Sequence, residues 1–288
     1  MPLSPLDDLD DHDVVEILPR HLAGPGIHEL VDVWPFPFDQ GWTLHQPEHG
    51  RAIAISPGMR VLAGHLTSEE PGRGGEWLVA AHKDPFRPAT WTATLDASTP
   101  VELVGDLYSE VLRLCEADAR GEGDLMRSDD VLPQDVYLPL LTAGWRHMIK
   151  TDGTQHFRSL DGYGVLEHVY APRQGAASVW AAWGGTPDHP LWKARFSSAA
   201  PASLVAAFAS SLASRVPLAR AVWNIPAEAR PHLTLPDAQT DSAGLRPAPP
   251  HSGTLPSAST MRTHDGPSAP NTSPTPPPSA VLPAGRRR

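Results

Sequence analysis

His28-Glu29-Leu30-Val31-Asp32 comes closer than any other stretch of this chain to a catalytic spacing. In H-E-x-x-H, two histidines one helical turn apart hold zinc and the glutamate serves as the base. Here Asp stands in the second ligand position and Trp34-Pro35 follows within one turn, so no metal site is assigned. The chain has 14 His, otherwise scattered; His189, in TPDHP, reads as a loop residue. No G-x-S-x-G elbow presents a serine nucleophile. Neither a P-loop nor a G-x-G-x-x-G opening a helix is present; GRGGEW (72–77) lacks the spacing and leads into a strand, so nucleotide binding by either device is not expected. The single cysteine, Cys115, permits no intramolecular disulfide and no Cys-based zinc site, and reads as a structural thiol. No catalytic residue, metal or cofactor is therefore assigned.

Charge narrows the partners further. The formal net charge is −10 over 288 residues, and residues 226–288 carry six Arg against four acids, which leaves about −12 on residues 1–225. Such a body repels phosphate backbones, and no run of Lys or Arg marks a basic patch, so general nucleic-acid binding is not expected. The N-terminus is acidic where a signal peptide needs a basic start, and no stretch approaches 18 apolar residues. A cytoplasmic protein without a membrane segment is the expectation.

The nine tryptophans reveal the organisation that positions everything else. Gly41-Trp42 is matched by Gly144-Trp145, Trp77 by Trp180, Trp91 by Trp192 and Pro100 by Pro201. The offset is 103 residues at the first two Trp pairs and 101 afterwards, which implies an internal duplication with a two-residue deletion. Repeated tryptophans are explained by packing that each copy needs. Trp34 and Trp183 have no counterpart and are the candidate interaction residues; Trp183 precedes the loop Gly184-Gly185-Thr186-Pro187.

Each copy reads as a helix, about five antiparallel strands in a meander and a closing helix. The opening helices are expected at 26–34 and 133–144. RAIAISPGMRVLAGHLT alternates around Ser56-Pro57-Gly58 as a β-hairpin, and TQHFRSLDGYGVLEHVYA repeats that shape around Asp161-Gly162. Further strands are expected at 76–83, 90–96, 178–183 and 191–197. For the closing helix of copy one, Thr99, Pro100 and Glu102 predict a capping box. Copy two has Ala200 and Ser203 instead, so its start is expected to fray more or to be capped by Ser198.

PRHLAGPG (19–26), the Gly-Trp pair, SPGMRV and the W…TPVEL segment resemble the actinobacterial family known as domain of unknown function 317. The second copy resembles it through GW, the Trp180 strand and LWKARFSSAAP, although it lacks PRHLAGPG and has APASL in place of TPVEL. The resemblance implies two tandem copies and no established activity.

The expected organisation is an α+β protein: a disordered acidic arm (1–13), a first unit (14–120), a linker (121–127), a second unit (128–225) packed on the first, and a disordered Pro-, Ser- and Ala-rich tail (226–288). The leading functional expectation is a non-enzymatic module that binds an unknown protein partner. The alternatives are a small-ligand-binding protein or enzyme with a site between the units, and an immunity or anti-toxin-like binder of a basic toxin.

Overall fold

Period-two alternation sets the strands. In β6 (Trp91–Asp96), Trp91, Ala93 and Leu95 are buried while Thr92, Thr94 and Asp96 are not. In β11 (Pro190–Phe196), Trp192, Ala194 and Phe196 are buried and Lys193 and Arg195 exposed. The computed structural model describes residues 4–26, 33–47, 51–67, 74–126, 131–169 and 179–236, all within one unit, Met1–Gln239.

Copy one contributes β2 (Thr43–His45), β3 (Ala52–Ile55), β4 (Val61–Leu66), β5 (Glu76–Ala81) and β6, followed by α1 (Val101–Arg120). Copy two contributes α2 (Tyr137–Thr142), β7 (Arg146–Ile149), β8 (Gln155–Arg158), β9 (Gly164–His168), β10 (Trp180–Gly185) and β11, followed by α3 (Ala202–Leu212). A 3-10 turn over Pro133–Val136 leads into α2, where the sequence predicts a helix; residues 27–32 of the other predicted opening helix lie outside the described residues.

The two meanders share an edge and form one ten-stranded antiparallel sheet, β2-β3-β4-β5-β6-β11-β10-β9-β8-β7. At the join Ala93 pairs with Phe196, Thr94 with Arg195 and Leu95 with Ala194. With the 101-residue offset, exchanging the copies maps this register onto itself, as a two-fold axis through Thr94 and Arg195 requires. Helices α1 and α3 pack on each other and on one face of the sheet. The Tyr108 ring lies 6.3 Å from Trp77, and Phe208 lies 6.2 Å from Trp192 and 5.4 Å from Phe196. Burial pushes the Tyr108 phenol far above its usual value, so it stays protonated and donates to the Gly64 carbonyl at 2.9 Å. Among the described residues no helix is long and apolar enough to cross a membrane.

The expected capping box is absent. Both helices start after a proline, Pro100 and Pro201, in nearly the same extended conformation with no side-chain cap. Thr99 Oγ1 is buried without a partner. Glu102 instead turns to Arg220, and the two form a bidentate pair with one oxygen–nitrogen distance of 2.7 Å. Arg220 is 4% exposed and sits on β12 (Leu218–Ala221), so this pair ties the C-terminal segment to the first turn of α1. Ser198 caps nothing, and the copies start their helices alike.

The ends of the chain depart from expectation in the same way. Residues 4–13, expected as a disordered arm, form hydrogen-bonded turns with Leu6 only 2% exposed. Strand β1 (Val14–Ile17) pairs with β12 in a separate two-stranded sheet instead of joining copy one. Leu6, Ile17, Leu22, Leu218, Ile225 and Leu233 build a second, smaller core under it. The sequence counts apolar residues too sparsely here to signal a core, because it is assembled from both ends. Ordered packing therefore continues into the expected tail as far as Pro236, and the remainder of that tail lies outside the described residues. Within the expected linker, Leu125 is 3% exposed and its carbonyl accepts the Trp91 Nε1–H at 2.9 Å.

Removing one partner of a buried ion pair leaves the other uncompensated, at a cost of about 3–5 kcal/mol. Because Glu102 is partly exposed, Glu102→Ala is expected to lower unfolding free energy by about 2–3 kcal/mol in urea titrations, against less than about 1 kcal/mol for Thr99→Val. Equal losses would indicate that Thr99 caps the helix after all.

Candidate functional site

Four places gather polar side chains, and chemistry separates them. The first has the composition of a catalytic triad: His21, Asp161 and Ser159. His21 Nε2 lies 3.1 and 3.0 Å from the two Asp161 oxygens, and Ser159 Oγ donates to Asp161 Oδ1 at 2.6 Å. Nucleophilic activation needs the serine hydrogen-bonded to the histidine; here the aspartate stands between them. Ser159 Oγ also accepts the Gly164 N–H at 2.8 Å, and Asp161 accepts the Tyr163 N–H at 2.8 Å, so both side chains hold the β8–β9 turn. Burial alone would raise the Asp161 carboxyl, but the hydrogen bond and charge of His21, with the Ser159 and Tyr163 donors, outweigh it and hold the group at about 2.

Copy one carries the same turn. Ser56 Oγ accepts the Val61 N–H at 2.9 Å, and the turn passes through Gly58 at φ +76°, a conformation suited to glycine. What differs is the plug beside it. PRHLAGPG, which precedes copy one in sequence, docks on copy two: the His21 carbonyl accepts Trp192 Nε1–H at 3.0 Å. A Cβ on Gly184 would stand 2.1 Å from that carbonyl, so only glycine admits the segment. In copy one the corresponding indole, Trp91, is served by the linker through Leu125.

The second place is a cleft of about 210 Å³ bordered by Ser56, Arg60, Cys115 and Asp118. Arg60 pairs with Asp118 at 2.6 Å. Burial, reinforced by Asp118, pushes the Cys115 thiol up to about 12, which leaves it inert as a nucleophile. The third is a groove of about 430 Å³ beside Arg20, Trp34, Glu102 and Asp106. Its charges are engaged, Arg20 with Asp106 at 3.4 Å and Glu102 with Arg220. The largest hollow, about 850 Å³, lies beside Tyr163, Asp188, His189, Glu228 and His232. His189, Asp188, Glu228 and His232 are all exposed, and Tyr163 stacks on His232 at 4.1 Å. Among the described residues no group of three or more His, Cys, Asp or Glu could hold a metal ion.

The fourth place is the sheet face opposite α1 and α3. Cross-strand partners point to the same face, so register assigns its occupants. Arg146 pairs with Arg158, Arg158 with Val165, Val165 with Trp183 and Trp183 with Lys193. One step along, Met148, His156, Glu167, Ala181 and Arg195 form the adjoining row. Arg146, Arg158, Lys193 and Arg195 are exposed, and among the described residues no carboxylate pairs with any of them. Glu167 is committed to Lys150 and to His156 Nδ1, the latter at 2.8 Å. Asp96, cross-strand from Lys193, uses Oδ2 on the Lys193 main-chain N–H at 2.8 Å and bounds the cationic area. Val165, on the same row, is 2% exposed.

No run of basic residues announces this face in the sequence. Its cations come singly or at i, i+2 from three strands, and only the register assembles them. Of the two candidate tryptophans, Trp183 lies within it, half-buried, 6.4 Å from the His156 ring. Trp34 is 7% exposed and packs at 6.3 Å from Phe36 and 6.1 Å from Phe38, on the helix side. The two are not brought together. Trp223, 51% exposed, is an aromatic the sequence reading passed over. His28 and Asp32 lie outside the described residues.

Residues 55–114 and 159–218 each match SPDY, a domain of unknown function (DUF317). Each SPDY match begins at the serine turn and runs through three strands and the closing helix, so the outer strand pairs β2–β3 and β7–β8 fall essentially outside it. Lys193, Arg195 and Trp183 lie within the second SPDY match, Arg146 and Arg158 before it. No curated protein and no solved structure matches the chain.

The Asp161 carboxyl sits below its unfolded value of about 3.9, so its contribution to stability is complete above pH 4 and is lost as pH falls through 4 towards 2. Asp161→Asn is expected to lower the urea midpoint at pH 6, with the gap from the parent protein closing between pH 4 and 2. A gap independent of pH would mean that the carboxylate charge is not what holds His21.

Proposed function

We propose that the chain is a non-enzymatic binding module that receives an anionic macromolecule on the sheet face opposite α1 and α3. One observation carries this reading: four exposed cations with no carboxylate partner among the described residues share that face on a chain whose net charge is −10. Unpaired like charges at neighbouring register positions cost stability, and a partner that neutralises them recovers it. The sequence suggested an unknown protein partner; the cations of this face support a partner of anionic surface.

An enzyme or small-ligand reading would need groups converging on an enclosed space. At the join of the two copies, backbone pairs and packed helices occupy the position of such a site, and the serine, histidine and aspartate most suited to catalysis are spent on a turn. Acidic side chains suited to a basic toxin are not what this face presents.

Retention on a heparin matrix tests the reading. At low salt and neutral pH the full chain is expected to be retained despite its net charge, and Lys193→Glu with Arg195→Glu should elute in the void. Passage of the parent protein through the column, or retention unaffected by those substitutions, would contradict it.

A further inference from the structure

The open face carries more than charge, and its one aromatic row points to what the partner exposes. We propose that the occupant is a single strand of nucleic acid, with phosphates on Arg146, Arg158, Lys193 and Arg195 and a base stacked on Trp183. This rests on the reading of that face as an anion-binding surface and adds the identity of the anion.

Two features carry it. Strands lie about 4.8 Å apart, so the row from Arg146 on β7 to Lys193 on β11 spans about 19 Å, enough for several nucleotides. Within that row the half-buried indole of Trp183 stands directly beside Lys193 and two strands from Arg158, with His156 diagonal to it. Surfaces that bind single strands without sequence preference combine cations that follow the backbone with aromatic rings that accept base faces. An acidic peptide would gain from the cations but has no use for the ring, and a duplex keeps its base faces inside the stack.

The acidic remainder of the chain does not oppose this at close range. At physiological salt the Debye length is about 8 Å, so carboxylates on the helix side of the sheet are screened from a ligand on the other side. On the ligand's own face, Glu167 is engaged by Lys150 and His156 and Asp96 by a backbone N–H, while exposed Glu76 stands one strand beyond Asp96, away from the cations. Net charge therefore slows encounter without deciding contact.

Fluorescence anisotropy with the full chain tests the proposal, using labelled oligo-dT and oligo-rU of about 15 nucleotides, within the span such surfaces occupy. A duplex of the same length and poly-L-glutamate serve as competitors. The expected result is a Kd of about 10⁻⁵ M at moderate salt, with log K falling against log salt at a slope near −3, about 0.7 for each of four phosphates. Lys193→Glu with Arg195→Glu should abolish binding. Trp183→Leu should weaken it about tenfold without changing the slope, since stacking is not ionic. Circular dichroism and urea midpoints of the variants verify folding. Preference between oligo-dT and oligo-rU distinguishes DNA from RNA as the source. Binding of poly-L-glutamate but of neither oligonucleotide would overturn the nucleic-acid assignment and leave the anionic-partner reading standing. A duplex bound as tightly as a single strand, or Trp183→Leu without effect, would equally overturn it. Failure of every polyanion to bind would overturn both.

Discussion

The pairing of β6 with β11 is the constraint on which the rest of the molecule depends. It joins the last strand of each repeat to its own counterpart, so a single antiparallel contact removes two exposed edges at once. Because the closing helix follows that strand in each copy, the same contact brings α1 and α3 together on one face. Placing both helices on one side leaves the other side of the ten strands without a helix among the described residues, and the side chains that alternate outward there share one surface. The row from Arg146 to Lys193 belongs to copy two alone; what the join adds is β6 beside β11, which places Thr94 next to Arg195.

Divergence between the copies lies in what closes each end. The serine turns are retained, Ser56 on Val61 and Ser159 on Gly164, since both hairpins need them. Trp91 and Trp192 both donate an indole N–H to a carbonyl outside their own repeat, from the linker in one copy and from the N-terminal segment in the other. That second plug crosses to copy two and, with β1 on β12 and Arg220 on Glu102, straps the ends of the chain around the repeat pair. The outward charge diverges too: Thr94 stands where copy two has Arg195, and Thr92 where it has Lys193.

Much of the fold was legible because it follows from periodicity and punctuation. The strands, the closing helices and the duplication are all carried by alternation, prolines and recurring tryptophans. What the sequence hid was long-range. The capping box at Thr99 and Glu102 is a local rule overridden by Arg220, 118 residues away. Leu6 and Ile17 become core only when Leu218 and Leu233 meet them. The cationic face was hidden for the same reason: a run of lysines is visible in one dimension, whereas Arg146, Arg158, Lys193 and Arg195 become neighbours only in the register of the sheet. Trp183 was visible by its lack of a counterpart; Trp34 shared that property and is packed in the core, so unmatched position alone does not separate surface from interior.

Native-state hydrogen exchange across the join tests the architecture most directly. If β6 and β11 are central strands of one sheet, every amide of Ala93–Leu95 and Ala194–Phe196 is bonded to one neighbour or the other and exchanges only near the global unfolding limit. If the copies are separate units, both strands are edges, and alternate amides along each would exchange orders of magnitude faster than those between them. Uniform slow exchange is the result expected here; an alternating pattern at Thr94 and Arg195 would contradict the shared sheet.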